Sequence, residues 1–361
     1  WIGDISYSWY LWHWPMIVFS VVLWPGSHVA IISAAFGSIV PALASYYLLE
    51  NRLRITSESP RGQRSTLKIF LVSVFAPLLV SGAVILGAST GYGLHRNISP
   101  GLTESIAYKS GCQMDVLPFP QKTCIFMRSP SRPLVLLVGD SQAGVNSDPL
   151  YTATKSLNLN FAVWFNNGCP IFPEPTLERS DCQPYLNALP ELIVKLDPTL
   201  ILIANSSTLY TTAGSQGGGL TITKENGKPS STYQEAIETW INGLSATLSR
   251  PELLSRRVVL VGQVPPSRFL SPSILRPKVS TQSFDLSSSS DRNLIIQREK
   301  EIINGYSNSF FFDTADYLCP KGACKYSTEG KDAYNDSLHL TVKGAMLLSD
   351  GFKEMLQLQV K

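Results

Sequence analysis

Residues 133 to 145 read Pro133-Leu134-Val135-Leu136-Leu137-Val138-Gly139-Asp140-Ser141-Gln142-Ala143-Gly144-Val145. The unbroken apolar run Leu134 to Val138, closed by a proline on one side and a glycine on the other, is the pattern of a parallel strand buried on both faces. A turn follows at Gly139-Asp140-Ser141, and Gln142 to Leu157 can continue as a helix. Ser141 then stands at the carboxyl end of a strand and close to a helix N-terminus, where outward-pointing N–H groups favour developing negative charge. A hydroxyl so placed suits a nucleophile. The plain alternative is a turn in which the serine only caps the helix.

A serine nucleophile requires a base to take its proton and a carboxylate to hold the tautomer of that base. Both residue types occur near the other end of the chain, in Tyr334-Asn335-Asp336-Ser337-Leu338-His339-Leu340-Thr341. Asp336 and His339 share one expected loop there. A second acid, Asp316, competes for the orienting role.

Together, Gly139-Asp140-Ser141 and Asp336-x-x-His339 resemble the SGNH, or GDSL-like, hydrolases, which carry Gly-Asp-Ser on the first strand and Asp-x-x-His in a C-terminal loop. The two motifs stand about 200 residues apart, at the ends of a region of ordinary domain size. The resemblance implies a three-layer α/β/α fold with a parallel sheet, with Ser141 as nucleophile, His339 as base and Asp336, rather than Asp316, as its partner. It also implies oxyanion donors after the second and third strands. Gly168, in the turn Asn166-Asn167-Gly168-Cys169-Pro170 after the expected strand Phe161 to Phe165, is the backbone candidate, because close approach of backbone to substrate excludes a side chain. The other reading is a turn glycine beside a disulfide. Asn205, after the expected strand Thr199 to Ala204, is the amide candidate. Only this asparagine matches the family's usual Gly-x-Asn-Asp block, and it either donates to the oxyanion or simply caps the strand end.

The rest of this region alternates in the same way. Val258 to Val261 and Phe310 to Phe312 read as further strands; Tyr233 to Leu248, Leu294 to Tyr306 and Thr341 to Leu358 read as helices. Gly214 to Ser231 reads as a flap or glycan-facing loop, and Pro265 to Ser290 as irregular, with its serine run 287 to 290 expected to be flexible. Alternating strands and helices predict a sheet whose ligand site lies outside the carboxyl ends of the strands.

The whole chain has 361 residues, enough for two domains, and a net charge of +3 with no basic stripe, which argues against nucleic-acid binding. Charged residues make up 16% of it, against roughly 25% in soluble proteins, so part is expected to meet lipid. All six cysteines lie between Cys112 and Cys324, without the paired short spacings and nearby histidines of a zinc site, so no metal is expected. Disulfides are the better reading, and sequence neighbours suggest Cys112–Cys124, Cys169–Cys182 and Cys319–Cys324 among the possible pairings. Such usage implies an oxidising compartment.

Three N-terminal stretches, Ile5 to Trp24, Val29 to Leu49 and Ile69 to Leu94, carry no formal charge apart from His13 if protonated. Each reaches the ~20 residues that a helix needs to cross a bilayer, so about three transmembrane helices are expected. The stretch between the second and third holds Arg52, Arg54, Arg61, Arg64 and Lys68, whereas the first connection holds no Lys or Arg. By the positive-inside rule the basic loop is cytoplasmic and everything after Leu94 lies on the far side.

Gly3-Asp4-Ile5-Ser6-Tyr7-Ser8-Trp9-Tyr10-Leu11-Trp12-His13-Trp14-Pro15 resembles the late-helix signature of the acyltransferase-3 family, and Glu50-Asn51-Arg52 is similar to the close of that domain. Members pass acyl groups, usually acetyl, from the cytoplasm to glycans outside, and a subgroup carries a fused extracytoplasmic SGNH domain. The resemblance implies that residues 1–50 are the last two helices of the membrane domain. Residues 51–68 are then a cytoplasmic loop, 69–94 an added helix, 95–132 an extension, and 133–361 the SGNH domain. A first residue Trp1 rather than Met reads as a fragment. The family's donor-handling residues lie in earlier helices, so His13 is read as packing or interfacial anchoring.

The expected protein is therefore a multi-pass O-acyltransferase of the plasma (inner) membrane, its C-terminal domain periplasmic or otherwise extracytoplasmic. Its partners are a cell-surface glycan such as O-antigen, exopolysaccharide or peptidoglycan, the bilayer, and the rest of the membrane domain. Acetyl-CoA is the donor that the resemblance implies, and no cofactor is expected on the SGNH domain. The alternatives are an esterase or deacetylase with the same triad, and a glycan-binding module that has lost its chemistry.

Overall fold

The computed structural model describes residues 2–24, 27–50, 102–113, 124–127, 129–172, 182–216, 232–267, 283–328 and 331–360, with Ser230 and a few positions between 71 and 86. They fall into two compact units, 2–86 and 102–360.

The first unit contains helices α1 (Ile2–Leu23), α2 (His28–Gly37) and α3 (Ile39–Ser45), followed by a π-helical turn at Tyr46–Glu50. Ser27 caps α2 by accepting the Ala30 N–H. The helices present large apolar side chains outward, among them Phe36, Val40 and Leu48. Polar side chains pair inward instead: Trp9 Nε1 donates to Ser38 Oγ at 2.9 Å, and Ser8 Oγ to Glu50 Oε2 at 2.8 Å.

Among the described residues one helical stretch, His28–Leu48, is long and apolar enough to cross a membrane. The expectation of three spanning helices is corrected accordingly. Ile5 to Trp24 does lie almost wholly in a helix, but Tyr7, Trp9, Tyr10, Trp12, His13 and Trp14 carry polar ring atoms that lower its hydropathy below that of a span. The third expected span, 69–94, falls largely outside the described residues, although 77–83 are helical. The basic loop lies outside them too.

The second unit is built on a six-stranded sheet in the order β1-β3-β2-β4-β5-β7. Its strands are β1 (Cys124–Met127), β2 (Leu134–Gly139), β3 (Asn160–Phe165), β4 (Leu200–Ala204), β5 (Arg257–Val261) and β7 (Ser309–Phe312). All neighbours run parallel except β1, which joins β3 antiparallel at the edge. Short antiparallel pairs join β6 (Ser283–Asp285) to β8 (Ala323–Lys325) and β9 (Ser327–Thr328) to β10 (Lys331–Asp332).

Alternate residues of each central strand enter two cores, which makes the unit three layers deep. Val135, Leu137, Leu200 and Leu202 pack with helices α5 (Ser141–Ser156) and α10 (Ser349–Gln359). Leu136, Val138, Ile201 and Ile203 pack with α6 (Cys182–Leu196), α7 (Ser207–Gln216), α8 (Tyr233–Leu248) and α9 (Ser290–Ile303). The expected strands and helix 233–248 are present. Helix 341–358 is instead divided into Val342–Ala345, a 3-10 turn and α10. The serine run 287–290 is ordered as a 3-10 turn, capped by Asp285, leading into α9.

The three disulfides are Cys112–Cys124, Cys169–Cys182 and Cys319–Cys324, the neighbour pairing anticipated above. They fit an oxidising, extracytoplasmic compartment. Within the expected linker, a short helix α4 (Ile106–Lys109) packs on α5, and Gln113 bridges to Phe165. Most of the Gly214–Ser231 loop and all of 268–282 lie outside the described residues.

Candidate active site

The end of β2 sets the geometry. At Gly139 an added Cβ would lie 1.9 Å from the Ala204 carbonyl oxygen, so only glycine lets β2 and β4 approach at this edge. The next residue, not Ser141, caps α5: Asp140 Oδ1 accepts the Gln142 N–H at 2.8 Å. Ser141 is thereby relieved of the capping role and its hydroxyl is turned to other chemistry.

Ser141 Oγ lies 2.7 Å from His339 Nε2. On the far side of the ring, His339 Nδ1 lies 2.9 Å from both Asp336 oxygens. With the Nδ1–H donated to the carboxylate, Nε2 is the acceptor for the serine proton. The loop is shaped by the same acid: Asp336 Oδ1 accepts the Leu338 and His339 N–H groups at 2.8 Å each. Partial burial pushes the Asp336 carboxyl up, but the His339 hydrogen bond and charge, with those two amides, outweigh it and leave the group at about 2. Asp316, the rival acid, lies in the turn Ala315–Leu318 that follows β7 and makes no hydrogen bond to the ring.

The two halves of this arrangement are tied by neighbours that the sequence does not single out. Gln142 Nε2 donates to the Leu338 carbonyl at 3.0 Å, and Ser267 N–H donates to the Ser337 carbonyl at 2.8 Å. Beneath them, fully buried Asp140 accepts from the Ser206 amide at 2.8 Å and the Tyr210 hydroxyl at 2.7 Å, joining the ends of β2 and β4. Burial pushes the Asp140 carboxyl above its ordinary value against the pull of these donors and of His339. Tyr185 Oη donates to the Gly139 carbonyl at 2.8 Å.

Gly168 lies three residues beyond β3 and Asn205 directly follows β4, the strands on either side of β2. Gly168 has φ +69° and lies in a turn closed by Cys169 N–H donating to the Asn166 carbonyl at 3.1 Å. Asn205 is 4% exposed; its Oδ1 accepts the Ile171 N–H at 3.4 Å, and its Nδ2 has no hydrogen-bond partner among the described residues. A buried, unsatisfied amide donor is costly in a folded protein, and Asn166 Nδ2, in the adjoining turn, is likewise without a partner among the described residues. The pair is thus linked through the 168–171 loop, and neither residue hydrogen-bonds to the serine, histidine and aspartate themselves. Among the described residues no group of His, Cys, Asp and Glu is placed to hold a metal.

Among solved structures, the chain is similar to a lipopolysaccharide acetyltransferase periplasmic domain from Salmonella ser. Paratyphi A, at 14% identity and TM-score 0.45, over 63% of this chain and 85% of the other. It is also similar to a family 3 carbohydrate esterase from Clostridium thermocellum, at 10% identity and TM-score 0.38, over 63% and 98% of the two chains. An acetylxylan esterase (Axe2) from Geobacillus stearothermophilus matches at 12% identity and TM-score 0.37, over 63% and 95%. No curated protein matches the sequence. The family assignment stands on sequence: residues 111–354 match the family described as SGNH domain (fused to AT3 domains). That span covers more than half of the chain and holds both motifs, and the chain belongs to this SGNH family.

Proposed function

We propose that this protein is an O-acyltransferase, most simply an O-acetyltransferase, that modifies hydroxyls of a cell-surface polysaccharide through a covalent acyl-enzyme on Ser141. The observation that carries the reading is the hydrogen-bonded series Ser141 Oγ, His339 Nε2, His339 Nδ1 and Asp336, with contacts of 2.7 and 2.9 Å. In the first half-reaction Ser141 Oγ attacks the acyl carbonyl while Nε2 takes its proton. The leaving group departs with that proton, and the serine ester remains. In the second, a sugar hydroxyl gives its proton to Nε2 and attacks the ester, regenerating the serine. Gly168 and Asn205 donate to the oxyanion in both steps.

Transfer is preferred to hydrolysis because the matched family is one fused to AT3 domains, whose membrane part supplies an activated acyl group. Acetyl-CoA is the donor proposed for that part. The apolar stretch His28–Leu48 supports attachment to a plasma or inner membrane, and the disulfides support an SGNH unit on its outer face. Hydrolysis by the same residues is a second reading: a water in place of the sugar hydroxyl would meet the same base, whose side chain is 17% exposed.

The test supplies an acetyl ester to the detergent-solubilised chain with and without saccharide acceptors. Acetylated saccharide is expected. Acetate released in equal amount with or without acceptor, and no acetylated sugar, would establish the esterase reading in its place.

A further inference from the structure

We propose that Tyr108, on the segment preceding the sheet, is a positioning residue for this site: its hydroxyl fixes the turn that carries the Gly168 N–H. The inference rests on the acyl-enzyme reading of Ser141 and adds a residue to it from outside the alternating sheet and helices.

Tyr108 Oη donates to Asn167 Oδ1 at 2.6 Å. Its ring meets Phe165, at the end of β3, edge-on at 5.1 Å between centroids. It also lies directly over Gly144 in the first turns of α5, where an added Cβ would come within 2.5 Å of the ring. Helix α4 is itself anchored to the same helix, since the Ile106 N–H donates to Asp148 Oδ2 at 3.0 Å. The chain beyond it is held by the Cys112–Cys124 disulfide and by the bridge from Gln113 to Phe165. The tyrosine therefore reaches the turn from a braced position, past the one place on α5 that has no side chain to block it.

Asn167 and Gly168 are the two central residues of the turn from Asn166 to Cys169. The peptide between them carries the Gly168 N–H, and with glycine in the second position that peptide can rotate between turn types at little cost. Rotation swings the N–H away from any fixed acceptor. Holding the Asn167 side chain from outside the turn selects one orientation. A donor pre-set in this way contributes to the transition state without reorganising during the reaction, and misplacing one lowers turnover by tenfold or more.

The test is a double-mutant cycle on the full-length protein in detergent, with p-nitrophenyl acetate as substrate and thermal unfolding recorded in parallel. Tyr108→Phe keeps the ring over Gly144 and Phe165 and removes only the hydroxyl. Its kcat is expected to fall about tenfold with KM within about twofold. Asn167→Ala should show the same split, and the double variant should be no worse than the poorer single variant, because both break the same Tyr108–Asn167 hydrogen bond. A wild-type kcat in Tyr108→Phe, or losses that multiply in the double variant, would overturn the proposal. A fall in kcat/KM that tracks a lowered unfolding temperature, with no loss specific to kcat, would do so too, assigning the tyrosine to packing alone. If the wild-type protein turns over no ester, the acyl-enzyme reading is lost first, and this role with it.

Discussion

His339 Nε2 sits 2.7 Å from Ser141 Oγ although 198 positions separate them in the chain. No strand ladder joins their loops. The alignment is held by side chain to backbone contacts, Gln142 to the Leu338 carbonyl and Asp336 to the amides of its own turn. The carboxylate thus has two functions, shaping the loop through Oδ1 and holding the imidazole tautomer through both oxygens.

Asp336→Asn separates these functions. An asparagine oxygen can still accept the Leu338 and His339 amides, but it cannot stabilise the imidazolium that forms when Ser141 loses its proton. Steady-state turnover of an acetyl ester is expected to fall roughly 100- to 10,000-fold with a much smaller change in KM. Because the group is held at about 2 in the folded protein, below its ordinary value, its contribution to stability is complete above about pH 4 and is lost as pH falls toward 2. Denaturant unfolding of wild type and variant should therefore differ at about pH 5 and converge as pH falls toward 2.

Asn205→Ala removes a buried amide donor that has no partner among the described residues. Folding should suffer little from the loss of Nδ2 and by about 1 kcal/mol from the loss of the Oδ1 bond to the Ile171 N–H, whereas kcat should fall roughly 100- to 1,000-fold if Nδ2 serves the oxyanion. Wild-type kcat in a folded Asn205→Ala protein would reduce this residue to its hydrogen bond with Ile171.

Glu299 supplies a test of the electrostatics of the second core. It is buried, accepts the Trp240 Nε1–H at 2.9 Å, and burial pushes its carboxyl up to about 7 despite that hydrogen bond and the Arg292 charge. The folded state then holds a proton that the unfolded state has already released, so stability falls as pH rises from about 4.5 through 7, by about 3 kcal/mol in all. Glu299→Gln should abolish most of this slope and be the more stable protein at pH 8. An unchanged slope in chemical denaturation would show that the carboxyl is not the group responsible.

The strands were legible because Leu134 to Val138, Phe161 to Phe165 and Leu200 to Ala204 are unbroken apolar runs, and burial on both faces of a parallel sheet requires such runs. Ser141, Asp336 and His339 were legible because their chemistry comes in short local motifs. Contacts between side chains distant in sequence left no such trace. Nothing in Tyr108 or Asn167 alone announces that a ring will pass over Gly144 to join them, nor does Gln142 advertise a hold on Leu338. Adjacent residues were equally opaque: Asp140 and Ser141 are both good caps by type, and only the backbone shows that the aspartate takes the part. The stretch Ile5 to Trp24 reads as a span only because absence of charge resembles apolarity. A helix rich in Trp and Tyr satisfies the first without the second.

The central claim is that Ser141 carries the acyl group, and intact-protein and peptide mass spectrometry after brief exposure to an activated acetyl ester tests it most directly. The account predicts one added acetyl group, located on the peptide containing Ser141, absent from Ser141→Ala and strongly reduced in His339→Ala. Turnover by the wild-type protein with no acyl adduct on Ser141 at any time point, or full turnover by a folded Ser141→Ala protein, would contradict it.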